Sequence, residues 1–111
     1  MGTDMSASTI NVAVIGAGSW GTTVAALAAV NTPTVLWARR ADLATEINDS
    51  GINPEYLPSF TLPDALRATD SLADAVSNAD VVVMAVPSHG YRDVALEAAA
   101  FIRPWVPFVS L

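Results

Sequence analysis

Val12-Ala13-Val14-Ile15-Gly16-Ala17-Gly18-Ser19-Trp20-Gly21-Thr22 reads as a buried strand, a glycine-rich turn and the first turn of a helix. Gly16, Gly18 and Gly21 form G-x-G-x-x-G. In that setting the first glycine makes the tight turn, the second lets a pyrophosphate approach the backbone, and the third lets helix and strand pack closely. The phosphates of a dinucleotide would then sit at the helix N-terminus, where free N–H groups and the helix dipole favour negative charge. A glycine-rich βα turn that binds nothing carries the same three residues, so the motif has to be weighed with the rest of the chain.

Working outward, residues 10–15 read as a first strand, apolar throughout as expected when both faces are buried. Residues 19–30 read as a helix with alanine, leucine and valine nearly all around it, which predicts that it is largely buried. Asn31-Thr32-Pro33 ends it, and residues 34–38 form a second strand. A short helix follows over 41–50, with Leu43 and Ile47 on one face and Gly51 as its C-cap. Residues 51–64, with Pro54, Pro58 and Pro63, read as a long connecting loop. Loops of that length in compact domains are often functional. A short strand is placed at 65–69. Ser71-Leu72-Ala73-Asp74 resembles a capping box with Asp in place of Glu, opening a helix that reaches about Asn78. Residues 80–86 are the clearest strand. A fourth helix is expected from about Tyr91 to Ile102, with Val94, Ala98, Phe101 and Ile102 on one face. Residues 107–111 begin another strand.

Strand and helix alternate, which predicts an α/β fold of the Rossmann type, a doubly wound and mostly parallel sheet with helices on both faces. Ligands of such sheets bind outside the carboxyl ends of the strands. Three candidate segments fall there: the glycine turn, Arg39-Arg40, and Pro87-Ser88-His89. The 111 residues fit one domain, placed at 9–111, with 1–8 as a disordered lead-in. At 52% hydrophobic the chain can build a core. It has no cysteine for disulfide or thiol chemistry, and one histidine among scattered carboxylates makes no metal site. A net charge of −6 argues against nucleic acid. Apolar runs stop well short of a membrane span, and the first residues lack the pattern of a signal peptide, so a cytoplasmic placement is expected.

The segment after the second strand bears on which dinucleotide is held. NAD-binding versions of this fold place an acid about 20 positions beyond the glycines, on the ribose hydroxyls. Here Trp37-Ala38-Arg39-Arg40 stands at that place, with no carboxylate before Asp42. A guanidinium matches a phosphate with two parallel hydrogen bonds. Arg39 and Arg40 therefore predict that NADP(H) is favoured, with NAD(H) also accepted; a solvated surface pair is the plainer reading.

Four stretches together carry a family resemblance. Gly16-Ala17-Gly18-Ser19-Trp20-Gly21-Thr22 resembles the cofactor turn of bacterial NAD(P)-dependent glycerol-3-phosphate dehydrogenases, and Leu36-Trp37-Ala38-Arg39-Arg40 their second-strand ending. Asn53-Pro54-Glu55-Tyr56-Leu57-Pro58 is similar to their N-x-x-Y-L-P loop, and Val86-Pro87-Ser88-His89 to their V-P-S-H. The resemblance covers residues 10–111. It implies reversible hydride transfer between NAD(P)H and dihydroxyacetone phosphate, giving sn-glycerol 3-phosphate for phospholipid synthesis. It implies that Ser19, Trp20, Arg39 and Arg40 contact the cofactor, that the backbone at Gly16, Gly18 and Gly21 holds the pyrophosphate, and that Pro87 and Ser88 lie near the nicotinamide half. It also implies a homodimeric parent with a helical C-terminal substrate domain, a lysine there as general acid/base, and another lysine soon after the strand that begins near Phe108. All five basic residues here are arginine. The chain is therefore expected to be a truncated cofactor half without catalytic residues, inactive by itself.

Two other readings remain open. One is the first domain of another NAD(P)-dependent small hydroxy-acid dehydrogenase. The other is a non-catalytic NAD(P)-sensing module. Among single residues, His89 is expected to position or hydrogen-bond within its loop and not to catalyse. Trp37 is expected in the core, Tyr56 as the anchor of its loop, and Asp74 as a helix cap.

Overall fold

The computed structural model describes residues 10–111; the lead-in expected at 1–8 lies outside them. Five strands, β1 (Val12–Ile15), β2 (Thr34–Trp37), β3 (Leu66–Thr69), β4 (Val81–Met84) and β5 (Phe108–Ser110), form one sheet. Four helices join them: α1 (Ser19–Ala29), α2 (Ala41–Ser50), α3 (Leu72–Val76) and α4 (Ser88–Ala99). The strand order is β3-β2-β1-β4-β5, and every pairing is parallel. The order reverses between β1 and β4, which is the switch point where such sheets open a crevice.

Period-two alternation splits the core in two. Val14, Leu36, Ala68 and Val83 face one side and pack with Ala25, Ala26, Leu43 and Ile47 of α1 and α2. Ala13, Ile15, Trp37, Val82 and Met84 face the other and pack with Leu72, Ala75, Val76, Val94 and Ala98 of α3 and α4. A continuous apolar run thus serves two layers at once. The left-handed Gly51 ends α2 as expected, its N–H donating to the Ile47 carbonyl.

Three expectations are corrected. First, α1 is not largely buried: Trp20 and Leu27 face outward, as does its C-cap Val30, because the sheet covers only one side of a helix. Second, α4 begins at Ser88 and not Tyr91, with Pro87 as N-cap, so Ser88 and His89 belong to its first turn. Gly90 resembles a breaker in sequence, yet one glycine in a helix costs only about 1 kcal/mol relative to alanine. The helix then stops at Ala99, which leaves Phe101 off its buried face and 44% exposed. Third, Asp74 does not close a capping box. Ser71 Oγ accepts the Asp74 N–H, while the Asp74 carboxylate turns to Arg67 at 2.7 Å.

Candidate functional site

The loops at the carboxyl ends of β1, β2 and β4 line one cleft of about 870 Å³. Its walls include Gly16 to Gly21, Trp37 to Arg40, Tyr56, and Ala85 to Gly90. The three segments marked in the sequence therefore meet, and the volume lies in the range of ligand pockets.

The glycines differ in what requires them. Gly16 has φ +122°, and a Cβ there would lie 2.7 Å from the Ala85 carbonyl oxygen. A Cβ at Gly21 would lie 1.9 Å from the Gly16 carbonyl oxygen. Gly16 is demanded by its positive φ and by the backbone that follows β4, and Gly21 by the close approach of α1 to the end of β1. A Cβ at Gly18 meets nothing within 4 Å, so no neighbour in the fold excludes a side chain there. Gly18 lines the cleft and is the N-cap of α1, where no side chain caps the helix and no acid lies in the first turn. The N–H groups of that turn and the positive end of the helix dipole are left for an anion.

Above the turn sits the 53–58 loop. Its anchor is Asn53, fully buried, and not Tyr56, which is 46% exposed. Asn53 Nδ2 donates to the Ala17 carbonyl at 3.0 Å and to Thr22 Oγ1 at 2.8 Å. Its Oδ1 accepts the N–H groups of Glu55 and Tyr56 at 3.3 and 3.2 Å. Ser19 Oγ donates to the Tyr56 carbonyl at 3.1 Å. The loop and the glycine turn are thereby one hydrogen-bonded unit. The sequence reading missed this role of Asn53, although it stands at the head of the N-x-x-Y-L-P stretch.

The two arginines part company. Arg39 has its guanidinium 5.4 Å from the Trp37 ring centroid, and a Cβ on Gly90 would come within 3.9 Å of its Nη2. It reaches across the cleft mouth toward α4, without a carboxylate partner among the described residues. Trp37 is buried as expected, with Nε1 donating to the Asp70 carbonyl at 2.9 Å, and it also serves as the platform for Arg39. Arg40 lines the cleft but is held by two carboxylates. Nε and Nη2 donate to Asp42 at 3.1 and 2.9 Å, and Nη1 and Nη2 donate to Glu55 at 2.8 and 2.7 Å. These bonds, with Asp42 contributing most, hold the guanidinium firmly charged, and in return lower the Asp42 carboxyl. Of the two arginines expected at the cofactor, Arg40 is engaged by carboxylates and Arg39 is not, among the described residues.

Trp20, 63% exposed, and Pro87, Ser88 and His89 complete the wall. His89, expected to position or hydrogen-bond within its loop, lies in the first turn of α4, exposed and without a hydrogen-bond partner among the described residues.

Residues 11–111 match the family described as NAD-dependent glycerol-3-phosphate dehydrogenase N-terminus. The chain belongs to this family. It is 54% identical over 102 residues to a glycerol-3-phosphate dehydrogenase [NAD(P)+] of Sphingopyxis alaskensis, covering 92% of this chain and 31% of that one. With the Mycobacterium avium enzyme of the same name it shares 52% identity over 101 residues, covering 90% of this chain and 30% of that one. Among solved structures, glycerol-3-phosphate dehydrogenase from Coxiella burnetii superposes with a TM-score of 0.86 at 28% identity, over 92% of this chain and 32% of that one. The chain thus spans about a third of the length of the relatives it matches. In the described residues no helix is long and apolar enough to cross a membrane.

Proposed function

We propose that this chain holds a nicotinamide dinucleotide for a glycerol-3-phosphate dehydrogenase. The activity is the interconversion of dihydroxyacetone phosphate and sn-glycerol 3-phosphate. The observation that carries the reading is Gly18: nothing in the fold excludes a side chain there, yet the position faces the cleft beside an uncapped helix start. A pyrophosphate pressed against the backbone gives the missing reason for glycine. Family membership supports the same reading.

In this proposal the pyrophosphate is held by the first-turn N–H groups of α1, and the adenosine half runs toward the end of β2. Arg39, without a carboxylate partner among the described residues, stands there for the 2′-phosphate of NADP(H), and NAD(H) is accepted as well. The other half extends toward Pro87 and Ser88. When bound, the nicotinamide supplies or accepts the hydride at C2 of the substrate. The chain's own residues orient the dinucleotide and shield it on the Trp20 and Tyr56 side. None of them is a lysine. The proton and the substrate's phosphate anchor are assigned to residues beyond this third of the enzyme.

Gly18→Ala tests the reading. Its φ of −76° is open to alanine, so stability should change by less than about 1 kcal/mol. Affinity for both NADH and NADPH should fall at least about tenfold, because the methyl occupies the pyrophosphate's place. Tryptophan fluorescence quenching reads the binding and a urea midpoint reads the stability. Unchanged affinity for both dinucleotides would contradict the proposal.

A further inference from the structure

The pairing of Arg40 with Glu55 decides which cation the cleft can offer. Arg40 carries one positive charge against two carboxylates, and four of its five N–H donors are engaged. Asp42 is a local partner, two residues on, at the Nε edge. Glu55 comes from the 53–58 loop and takes the Nη1–Nη2 edge, one of the edges by which arginine grips a phosphate in fork geometry. Glu55 is delivered there by a buried anchor, since Asn53 Oδ1 holds its N–H while Asn53 Nδ2 is tied to the glycine turn. Arg40 lines the cleft, whereas Glu55 stands outside its lining.

We propose that Glu55 is a specificity-determining residue of the dinucleotide site: by occupying Arg40 it withholds the second guanidinium from a 2′-phosphate and leaves that group to Arg39. This rests on the dinucleotide reading above. A phosphate monoester carries about −1.5 to −2 charge near neutral pH. Approaching Arg40, it meets repulsion from Glu55 and Asp42 and must displace a bidentate carboxylate. A ribose with free hydroxyls carries no such charge and meets no such penalty. Glu55 therefore pulls the preference toward NAD(H), against the pull of Arg39 toward NADP(H).

The test is a pair of titrations, NADPH and NADH, each against the wild-type chain, E55Q, and E55Q combined with R40Q. Tryptophan quenching gives the dissociation constants. Glu55→Gln keeps the side chain's shape and removes its charge. NADPH should bind at least about tenfold tighter to E55Q, a gain of the order of one charge-assisted hydrogen bond, while NADH changes by less than about twofold. Adding R40Q should abolish the gain, since the gain runs through Arg40. Equal tightening of both dinucleotides, no change in NADPH affinity, or a gain that survives the loss of Arg40 would each overturn the assignment. If the wild-type chain bound neither dinucleotide, the dinucleotide reading itself would fall and this inference with it. If it bound both and E55Q did not separate them, only the role of Glu55 would fall.

Discussion

Asn53 shows how much one buried side chain can organise. Its amide ties Ala17 and Thr22 on one side to Glu55 and Tyr56 on the other. Asn53→Ala leaves the buried Thr22 hydroxyl and the Ala17 carbonyl without their donor, and unmet buried polar groups cost about 1–3 kcal/mol each. The expected loss is about 2–3 kcal/mol in urea unfolding, with a weakened grip of the loop on the turn. A loss below about 0.5 kcal/mol, the range of ordinary surface substitutions, would show that water replaces the amide freely. At this scale Gly21 was legible in the sequence, because the carbonyl it must clear is that of Gly16 in the same strand-turn-helix, whereas the Ala85 carbonyl that crowds Gly16 comes from a distant strand end. The role of Asn53 was not legible, because its acceptors lie 36 and 31 residues away.

At the scale of elements, the strands are bound at their ends as well as along their ladders. Asp80, at the start of β4, accepts the Asn11 N–H at 2.8 Å beside β1 and pairs with Arg103 at 3.0 Å before β5. The Asn11 bond first, and then Arg103, hold its carboxyl below the usual range. Arg67 does the same to Asp74, which links β3 to α3. A carboxyl depressed by folding contributes stability that is present above its unfolded pKa, about 3.9, and lost as pH falls through the lower folded value. The urea midpoint should therefore drop as pH is taken from about 5 to about 2, and less steeply in Asp80→Asn than in the wild type. An identical slope in the two would remove Asp80 from the account. The outer edge of β3 has its own device: Asn48 of α2 donates to the Ala68 carbonyl and accepts the Ala68 N–H at 2.9 and 2.8 Å. An edge strand is thus satisfied by a side chain. Element type was readable from apolar periodicity. The start of α4 was not, since Pro87 and Gly90 carry a turn signature that the packing of Val94 and Ala98 overrides.

For the whole molecule, apolar side chains stand exposed at the β5 end of the sheet. Phe101, Trp105, Phe108, Val109 and Leu111 are all more than 40% exposed, and they gather around the edge strand β5. An apolar edge of this kind invites association. Sedimentation velocity should show concentration-dependent self-association, and Val109→Glu on β5 should reduce it. A monomer at all concentrations with a sharp, high-temperature unfolding transition would contradict this.

The sequence by itself determined the order of strands and helices, the parallel class of the sheet and the convergence of three loops at the carboxyl ends of β1, β2 and β4. Each of these follows from apolar periodicity, from glycines with a steric duty inside a few residues, or from the topology that alternation imposes. The tertiary structure alone decided that Arg40 is held by two carboxylates while Arg39 has none among the described residues. Glu55 lies 15 residues from Arg40. A string of residues records charges, while the field at a phosphate depends on the distances between them.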